Sequence, residues 1–336
     1  MQTLQRREFL NFTPDHRVPS EGFWLHVSRP AMACRFEVTL PLRERAGVAA
    51  AQAALDEVDS LEQQLTIFRE SSEVSFINRN AASVAVEVEA SLFELLLVCQ
   101  QLHRETEGAF DITSNPLSRC WGFLKREGRV PFESEIEEAI SCSGSDKLVL
   151  NRESQTIRFE RRDVEINFGS IGKGYALDRV AAHVRRRVRS ALLSAGYSSM
   201  HAVGSGDAAG HKGWMVGVRH PRHKEKRMAV LRLRDCAMST SGSEEQCFEH
   251  QGRLYGHIID PRTGYPSEGV SCVTVIARAA AVSDALATAF YVGGPELAER
   301  YCASHPGVMA VMLESGAMSP VVFGSSDKCE VEVVNE

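Results

Sequence analysis

Two oxygen-bearing side chains, Asp284 and Thr288, lie four residues apart in a segment with the pattern of a helix. Residues with this spacing share one helix face, so the carboxylate and the hydroxyl point the same way. Such oxygens suit a hard cation such as Mg²⁺, with a backbone carbonyl, water and substrate phosphate as its further ligands. The spacing also fits a helix that Asp284 caps near its start while Thr288 packs, and spacing alone favours that simpler interpretation.

The sequence at residues 169–174 is GSIGKG, and a helix is expected to follow it. The start of a helix offers unpaired N–H groups and a positive dipole end, which suit a phosphate or pyrophosphate, and Lys173 would add a positive charge. The spacing matches neither a Walker A loop nor GxGxxG. A tight strand-to-helix turn that needs glycine only for its backbone explains the segment equally well.

Residues 256–264 have the sequence GHIIDPRTG, which places His257 and Asp260 three residues apart. A neutral imidazole with an orienting carboxylate is a typical general base. The alternative is a turn in which Asp260 binds the backbone and Arg262 is solvated.

Residues 108–117 have the sequence GAFDITSNPL, and Trp121 follows. Aromatic and apolar groups beside Asp111 could hold a planar heterocycle. They fit equally a loop that packs on the core.

The elements expected to position these segments are interleaved strands and helices. Helices are predicted at 44–67, 89–107, from the glycine-rich turn to Gly196, and at 282–292 and 295–304. Strands are predicted at 36–40, 147–151, 156–160, 163–168, 200–204, 213–219, 228–234, 272–277, 308–313 and 319–323. This order predicts an α/β to α+β fold with a mixed sheet core and packed helices. Residues 23–325 are expected to form one domain or two intimately packed subdomains, between an irregular N-terminal tail at 1–22 and a C-terminal tail at 326–336.

The composition excludes several classes of protein. Hydrophobic residues make up 43% of the 336 residues and charged residues 24%, as in globular proteins with a substantial core. The net charge of −6 argues against a general nucleic-acid binder, and no apolar run is long enough for a membrane span. The nine cysteines include no CxxC pair, so a zinc site is not expected.

The N-terminus contains an arginine pair, Arg6-Arg7, followed by Glu8-Phe9-Leu10, as at the head of a twin-arginine export signal. The apolar stretch that such a signal requires does not follow. We therefore expect a cytoplasmic protein, although the incomplete signal leaves export open.

The order of these segments is more specific than any of them alone. A Phe-Asp loop, a KGY turn, a Gly-Asp strand end, a TSG loop, HIIDPRTGYP and a DALAT helix follow one another along the chain. This series resembles the FAD:protein FMN transferases, the ApbE family of flavin transferases, from about Pro30 to Val322. The combination of HIIDPRTGYP and DALATA is specific to that family.

The resemblance implies a T-fold-related architecture, FAD as the substrate and an acceptor flavoprotein with a modifiable Thr or Ser. It implies an Mg²⁺ site made by the Gly172 carbonyl, Asp284 and Thr288, which agrees with the cation argument above. The implied FAD contacts are Met32, Ala109, Phe110, Asp111, Ser170, Lys173, His257 and Ile258.

The sequence departs from the family pattern at three places. The early Met-Gly-Thr is Met32-Ala33-Cys34, the paired glycines before the KG turn are Gly169-Ser170, and the later Gly-Gly-Asp is 205–207, Ser-Gly-Asp. Serine restricts φ where glycine does not, which puts individual FAD contacts in doubt more than the fold.

The implied reaction is phosphoryl transfer from FAD to a hydroxyl of the acceptor, with release of AMP. His257 is the candidate base, Asp260 its orienting partner, and Lys173 a stabiliser of phosphate charge. An FAD pyrophosphatase that uses water, a non-catalytic FAD-binding protein and a structural protein that binds no flavin are the alternatives.

Overall fold

The computed structural model describes residues 23–206, 213–223, 225–242 and 246–334 of the chain. The N-terminal tail predicted at 1–22, with its arginine pair, lies outside the described residues, as does Asp207. None of the helices within the described ranges has the length and apolar character that a membrane-spanning helix requires.

An eight-stranded sheet forms the centre of the fold. Its strands are β1 (Trp24–Ala31), β2 (Cys34–Pro41), β6 (Ala191–Ala195), β7 (Ser199–Val203), β10 (Ala237–Gly242), β13 (Val270–Ala277), β14 (Met309–Glu314) and β15 (Val321–Gly324), in that spatial order. Every neighbouring pair is antiparallel. The predicted helix-and-sheet fold is confirmed, and the antiparallel pairing makes it α+β rather than α/β.

Within the described ranges, seven α-helices and eight further strands surround this sheet. The helices are α1 (Val48–Leu65), α2 (Glu73–Asn80), α3 (Ala90–Glu105), α4 (Asn115–Cys120), α5 (Glu133–Ser141), α6 (Gly172–Val184) and α7 (Ala280–Ser304). The remaining strands are β3 (Val86–Glu87), β4 (Leu148–Asn151), β5 (Thr156–Phe159), β8 (Trp214–Arg219), β9 (Arg227–Leu233), β11 (Cys247–His250), β12 (Arg253–Gly256) and β16 (Cys329–Val333). The backbone of α7 is non-helical at Gly294, just before Pro295, which explains why two helices are predicted there.

The middle strands of the central sheet, such as β6 and β7, are buried on both faces. Successive residues of a strand point to opposite faces. Leu193 and Val203 accordingly face α1 and α6, whereas Leu192 and Ala202 face the small sheet β16-β9-β8. This arrangement explains why the central strands lack a polar face in the sequence.

The helix predicted to run from the glycine-rich turn to Gly196 is too long. Helix α6 ends at Val184, and residues 191–195 form β6 between β2 and β7. Val184, Val188 and Leu192 fit a helical stripe by spacing, but an apolar run also fits a buried strand. Residues 191–195 form a strand because they pair with β2 on one side and β7 on the other.

The strand predicted at 163–168 is also wrong, because this segment joins no sheet. Its backbone groups are bound in other ways. The Asn78 side chain accepts from the Ile166 N–H and donates to the Ile166 carbonyl, and the Asn167 N–H donates to the Ile112 carbonyl. The extended shape is therefore held without a strand neighbour.

The predicted C-terminal tail, from residue 326, contains a strand that the sequence does not indicate, β16. This strand pairs with β9 along its whole length, from Cys329 opposite Leu233 to Val333 opposite Ala229. The alternation of residues 329–333 is too short to indicate a strand from the sequence alone, and the partner supplies the ladder.

Helices α6 and α7 cross closely at Gly174. An added Cβ at this position would lie 2.5 Å from the Ala280 carbonyl carbon and 2.8 Å from the Ala281 Cα. Both atoms belong to the backbone of α7, so neither can rotate away. Glycine is therefore required here for the packing of two helices.

We expect Gly174→Ala to lower the free energy of unfolding by about 1–3 kcal/mol, the usual cost of overpacking. Urea denaturation would measure it. Gly169→Ala is the matched control in the same turn, since its Cβ would meet only the Asn167 Oδ1, at 3.4 Å. Equal stabilities of the two variants would contradict this account of the crossing.

Candidate active site

One large cavity, of about 860 Å³, opens where α6 and α7 begin. Its size lies within the range of small-molecule and cofactor sites. The sequence segments discussed above for their chemistry all contribute residues to its wall. The predicted site residues that line it are Ala109, Asp111, Ser170, Lys173, His257, Ile258, Asp284 and Thr288.

Asp284 is a buried carboxylate in the first turns of α7, with 6% of its surface exposed. Its Oδ2 accepts from the Gly174 N–H at 3.0 Å, and its Oδ1 accepts from the Ser199 hydroxyl at 3.2 Å. No ion pair to Asp284 is found among the described residues. Burial raises the pKa of Asp284, although the positive charge of Lys173 acts in the opposite direction.

Thr288 lies one turn further along α7 and also lines the cavity. Its hydroxyl is 3.4 Å from the hydroxyl of Ser241, at the end of β10. A carboxylate and hydroxyls on one wall are hard oxygen ligands of the kind that Mg²⁺ prefers. A bound divalent cation would also give the buried carboxylate the close ion pair that the described residues do not provide, so the residues present fit this ion.

Gly172, the predicted carbonyl ligand, is buried in the first turn of α6. Its N–H donates to the Phe168 carbonyl at 2.7 Å. The cavity wall includes Lys173 but not Gly172, so the role of the Gly172 carbonyl stays a prediction.

His257 directly follows β12, lines the same cavity and is half-buried. Its Nδ1 is 3.0 Å from the Gln246 carbonyl oxygen. A carbonyl only accepts, so Nδ1 carries the hydrogen in this contact, and a neutral ring then has its lone pair on Nε2. The geometry thereby prepares Nε2 to accept a proton.

Asp260 does not have the orienting role that its spacing predicts. Its carboxylate accepts from the Arg262 N–H and from Nε at 2.9 Å, and from a terminal guanidinium nitrogen at 2.8 Å. The sequence Asp-Pro-Arg forms a tight turn, which brings Arg262 next to the Asp260 carboxylate. The backbone carbonyl of Gln246 holds the imidazole instead.

Comparison with known proteins identifies the family. A family model described as "ApbE family" matches residues 32–313, which is most of the chain. The chain belongs to the ApbE family.

Two curated relatives of this ApbE family chain are named FAD:protein FMN transferase. The one from Treponema pallidum (strain Nichols) is 32% identical over 282 residues, covering 78% of this chain and 77% of the relative. The one from Haemophilus influenzae is 29% identical over 256 residues, covering 74% and 72%. The crystal structure of the ApbE protein of Thermotoga maritima has a TM-score of 0.80 at 28% identity, covering 91% of this chain and 97% of that one.

The ApbE family resemblance implies FAD contacts from Ala109, Phe110 and Asp111, and the structure divides these three. Ala109 and Asp111 line the cavity, but Phe110 is buried in the main hydrophobic core with 1% exposure. The Phe110 side chain therefore packs in the core, and a contact of this residue with FAD stays a prediction.

The Asp111 carboxylate is occupied within the protein. It accepts from the backbone and hydroxyl of Thr113 and from the backbone and hydroxyl of Ser145. His103 Nδ1 lies 3.4 Å away. Asp111 thus shapes the loop that forms this part of the cavity wall.

Met32, the other implied nucleotide contact, lies in the two-residue turn between β1 and β2. Met32 and Ala33 both have positive φ, 48° and 59°, which is the backbone of a type I′ hairpin turn. The family's Met-Gly-Thr has glycine where this chain has Ala33. The Met32 side chain packs beside two core clusters and is not part of the described cavity wall.

Two residues that hold the site together carry no signal in the sequence. Ser199 of β7 donates to Asp284, and Gln246 supplies the carbonyl for His257. Neither belongs to a recognisable pattern, since the partners lie 85 and 11 residues apart in the chain and in different segments. Only the pairing of β7 with β10 could have suggested Ser199.

Proposed function

We propose that this chain is an Mg²⁺-dependent FAD:protein FMN transferase. The observation that carries the proposal is the buried carboxylate of Asp284, for which the described residues include no ion pair, next to a hydroxyl and in one cavity with His257 and Lys173. The relatives named FAD:protein FMN transferase supply the substrate and the reaction class.

The reaction transfers an FMN phosphoryl group. The hydroxyl oxygen of a Thr or Ser in the acceptor attacks the FMN phosphorus, the bond between that phosphorus and the bridging oxygen breaks, and AMP leaves with this oxygen. The products are AMP and an acceptor that carries FMN through a phosphoester.

Asp284, Thr288 and the Gly172 carbonyl would hold the cation. Mg²⁺ held there would supply positive charge against the pyrophosphate and the leaving AMP. Lys173, on the first turn of α6 and in the same cavity, stabilises the developing phosphate charge.

Nε2 of His257 accepts the proton of the attacking hydroxyl. The Gln246 carbonyl keeps the hydrogen on Nδ1 and fixes the ring plane, as in other sites where a second acceptor sets the tautomer. Ala109, Ser170 and Ile258 line the cavity and bind the nucleotide. These assignments do not require Asp260.

Incubation with FAD and Mg²⁺, with and without an acceptor protein that has an exposed Thr, tests the proposal. We expect AMP release to require the acceptor, and mass spectrometry to find one FMN attached to it. AMP release without an adduct would indicate a pyrophosphatase. Bound FAD that stays intact in excess Mg²⁺ would indicate a binding protein.

A further inference from the structure

Asp178, a residue of α6, hydrogen-bonds the start of α7. Its Oδ1 accepts from the Ala280 N–H at 2.7 Å, and its Oδ2 accepts from the Ala281 N–H at 2.9 Å. The residue before the helix, Ala279, has no side chain that could cap it. The first N–H groups of a helix need an acceptor, and here a neighbouring helix provides it.

The two helices cap each other. Asp178 of α6 binds the first turn of α7, and Asp284 of α7 binds the Gly174 N–H in the first turn of α6. Asp178 lies four residues after Gly174, and Asp284 lies four residues after Ala280. Each carboxylate is thus one turn into its own helix and reaches across to the other, where the absent Cβ of Gly174 allows close approach.

A buried histidine holds Asp178 in turn. His201 of β7 is 4% exposed, and its Nδ1 lies 3.0 Å from Oδ1 of Asp178. Since the carboxylate accepts, Nδ1 is the donor. Among the described residues, Nε2 of His201 has no hydrogen-bond partner. Within the described residues, the hydrogen bond to Asp178 is therefore the one polar contact of the His201 ring.

We propose that Asp178, held by His201, is a positioning residue for the cation site at Asp284 and Thr288. It fixes the first turn of α7 against α6, which places the Asp284 carboxylate at its observed distance from Gly174 and in the cavity wall. Its negative charge also adds to the potential around Asp284 and favours a cation there. This inference rests on the proposed function, because it assumes that Mg²⁺ binds at Asp284.

Mg²⁺ titration followed by thermal unfolding tests this role in the full-length chain. We expect Asp178→Asn to raise the Mg²⁺ concentration for the half-maximal thermal shift by about tenfold or more, the typical effect of losing an outer-shell partner. The transfer rate at saturating Mg²⁺ should stay close to that of the wild type. A merely structural role would lower the unfolding temperature without changing the Mg²⁺ midpoint.

Two substitutions of His201 provide a second test that leaves Asp178 in place. His201→Leu removes the donor and should raise the Mg²⁺ midpoint. His201→Asn keeps an N–H donor near the position of Nδ1 and should restore the midpoint towards the wild-type value. Glu57→Gln is the matched control, because it removes the ion pair to Arg179, the next residue of α6, without touching α7.

The outcomes separate this inference from the proposed function. A wild-type chain that does not respond to Mg²⁺ would overturn the cation site, and the inference with it. A wild-type response together with an unchanged midpoint in Asp178→Asn would overturn the positioning role alone. If Asp178→Asn does not fold, equal midpoints for His201→Leu and His201→Asn would overturn it.

Discussion

Replacing Asp284 by asparagine should lower the rate of FMN transfer by at least about a hundredfold. A metal ion contributes several kcal/mol of charge stabilisation in phosphoryl transfer, and each 1.4 kcal/mol corresponds to about a factor of ten. Asparagine keeps the shape of the side chain. Its oxygen can still accept from the Gly174 N–H and its amide can donate to the Ser199 hydroxyl, so the local structure is retained.

The same substitution should raise the thermal stability of the metal-free protein at neutral pH. Burial raises the pKa of Asp284 above its ordinary value, so the ionised carboxylate destabilises the folded state. That destabilisation is present above the folded-state pKa and is relieved as the pH falls through it. We therefore expect the difference in unfolding temperature between Asp284→Asn and the wild type to shrink on acidification.

The two effects together distinguish a functional carboxylate from a structural one. If the carboxylate were only structural, its replacement would lower the activity and the stability of the protein in parallel. Asp284→Asn should instead lose transfer and the thermal shift with Mg²⁺ while the metal-free protein becomes more stable. A variant that retains transfer would refute the cation site.

Replacing His257 by glutamine should lower transfer by about 10²–10⁴-fold, the usual contribution of general acid–base catalysis. The Gln246 carbonyl leaves the lone pair of the neutral ring on Nε2, and glutamine has no group of comparable basicity to replace it. FAD binding, followed by flavin fluorescence, should change little, because the proton transfer occurs only in the reaction.

His250→Gln is the matched control for this experiment. His250 is an exposed histidine at the end of β11, seven residues before His257 and not part of the described cavity wall. It should transfer FMN at the wild-type rate. Retention of full activity in His257→Gln, with FAD bound, would exclude His257 as the base.

Much of the fold could be predicted because local patterns agree with the final packing. The helical stripes of α1 and α3 and the alternation in β2 lie where the sequence predicts them, since each buries the face that its period makes apolar. Predictions fail where one pattern serves two structures. The stripe from Val184 to Leu192 fits a helix and a strand equally, and only β2 and β7 decide between them.

The sequence by itself determined the chemical groups of the site and their local geometry. Asp284 and Thr288 share a helix face because of the helical repeat, and the order of GSIGKG, HIIDPRTGYP and DALATA indicates the family.

Only the tertiary structure decided which neighbours these groups have. In the folded chain Asp260 binds Arg262, and His257 lies against the Gln246 carbonyl. The Phe110 side chain packs in the core. Asp178 and Asp284 join α6 to α7. The physical reason is that hydrogen bonds and burial depend on distance in space. Contacts between residues 110 positions apart, such as that of Gly174 with Asp284, leave no period in the sequence.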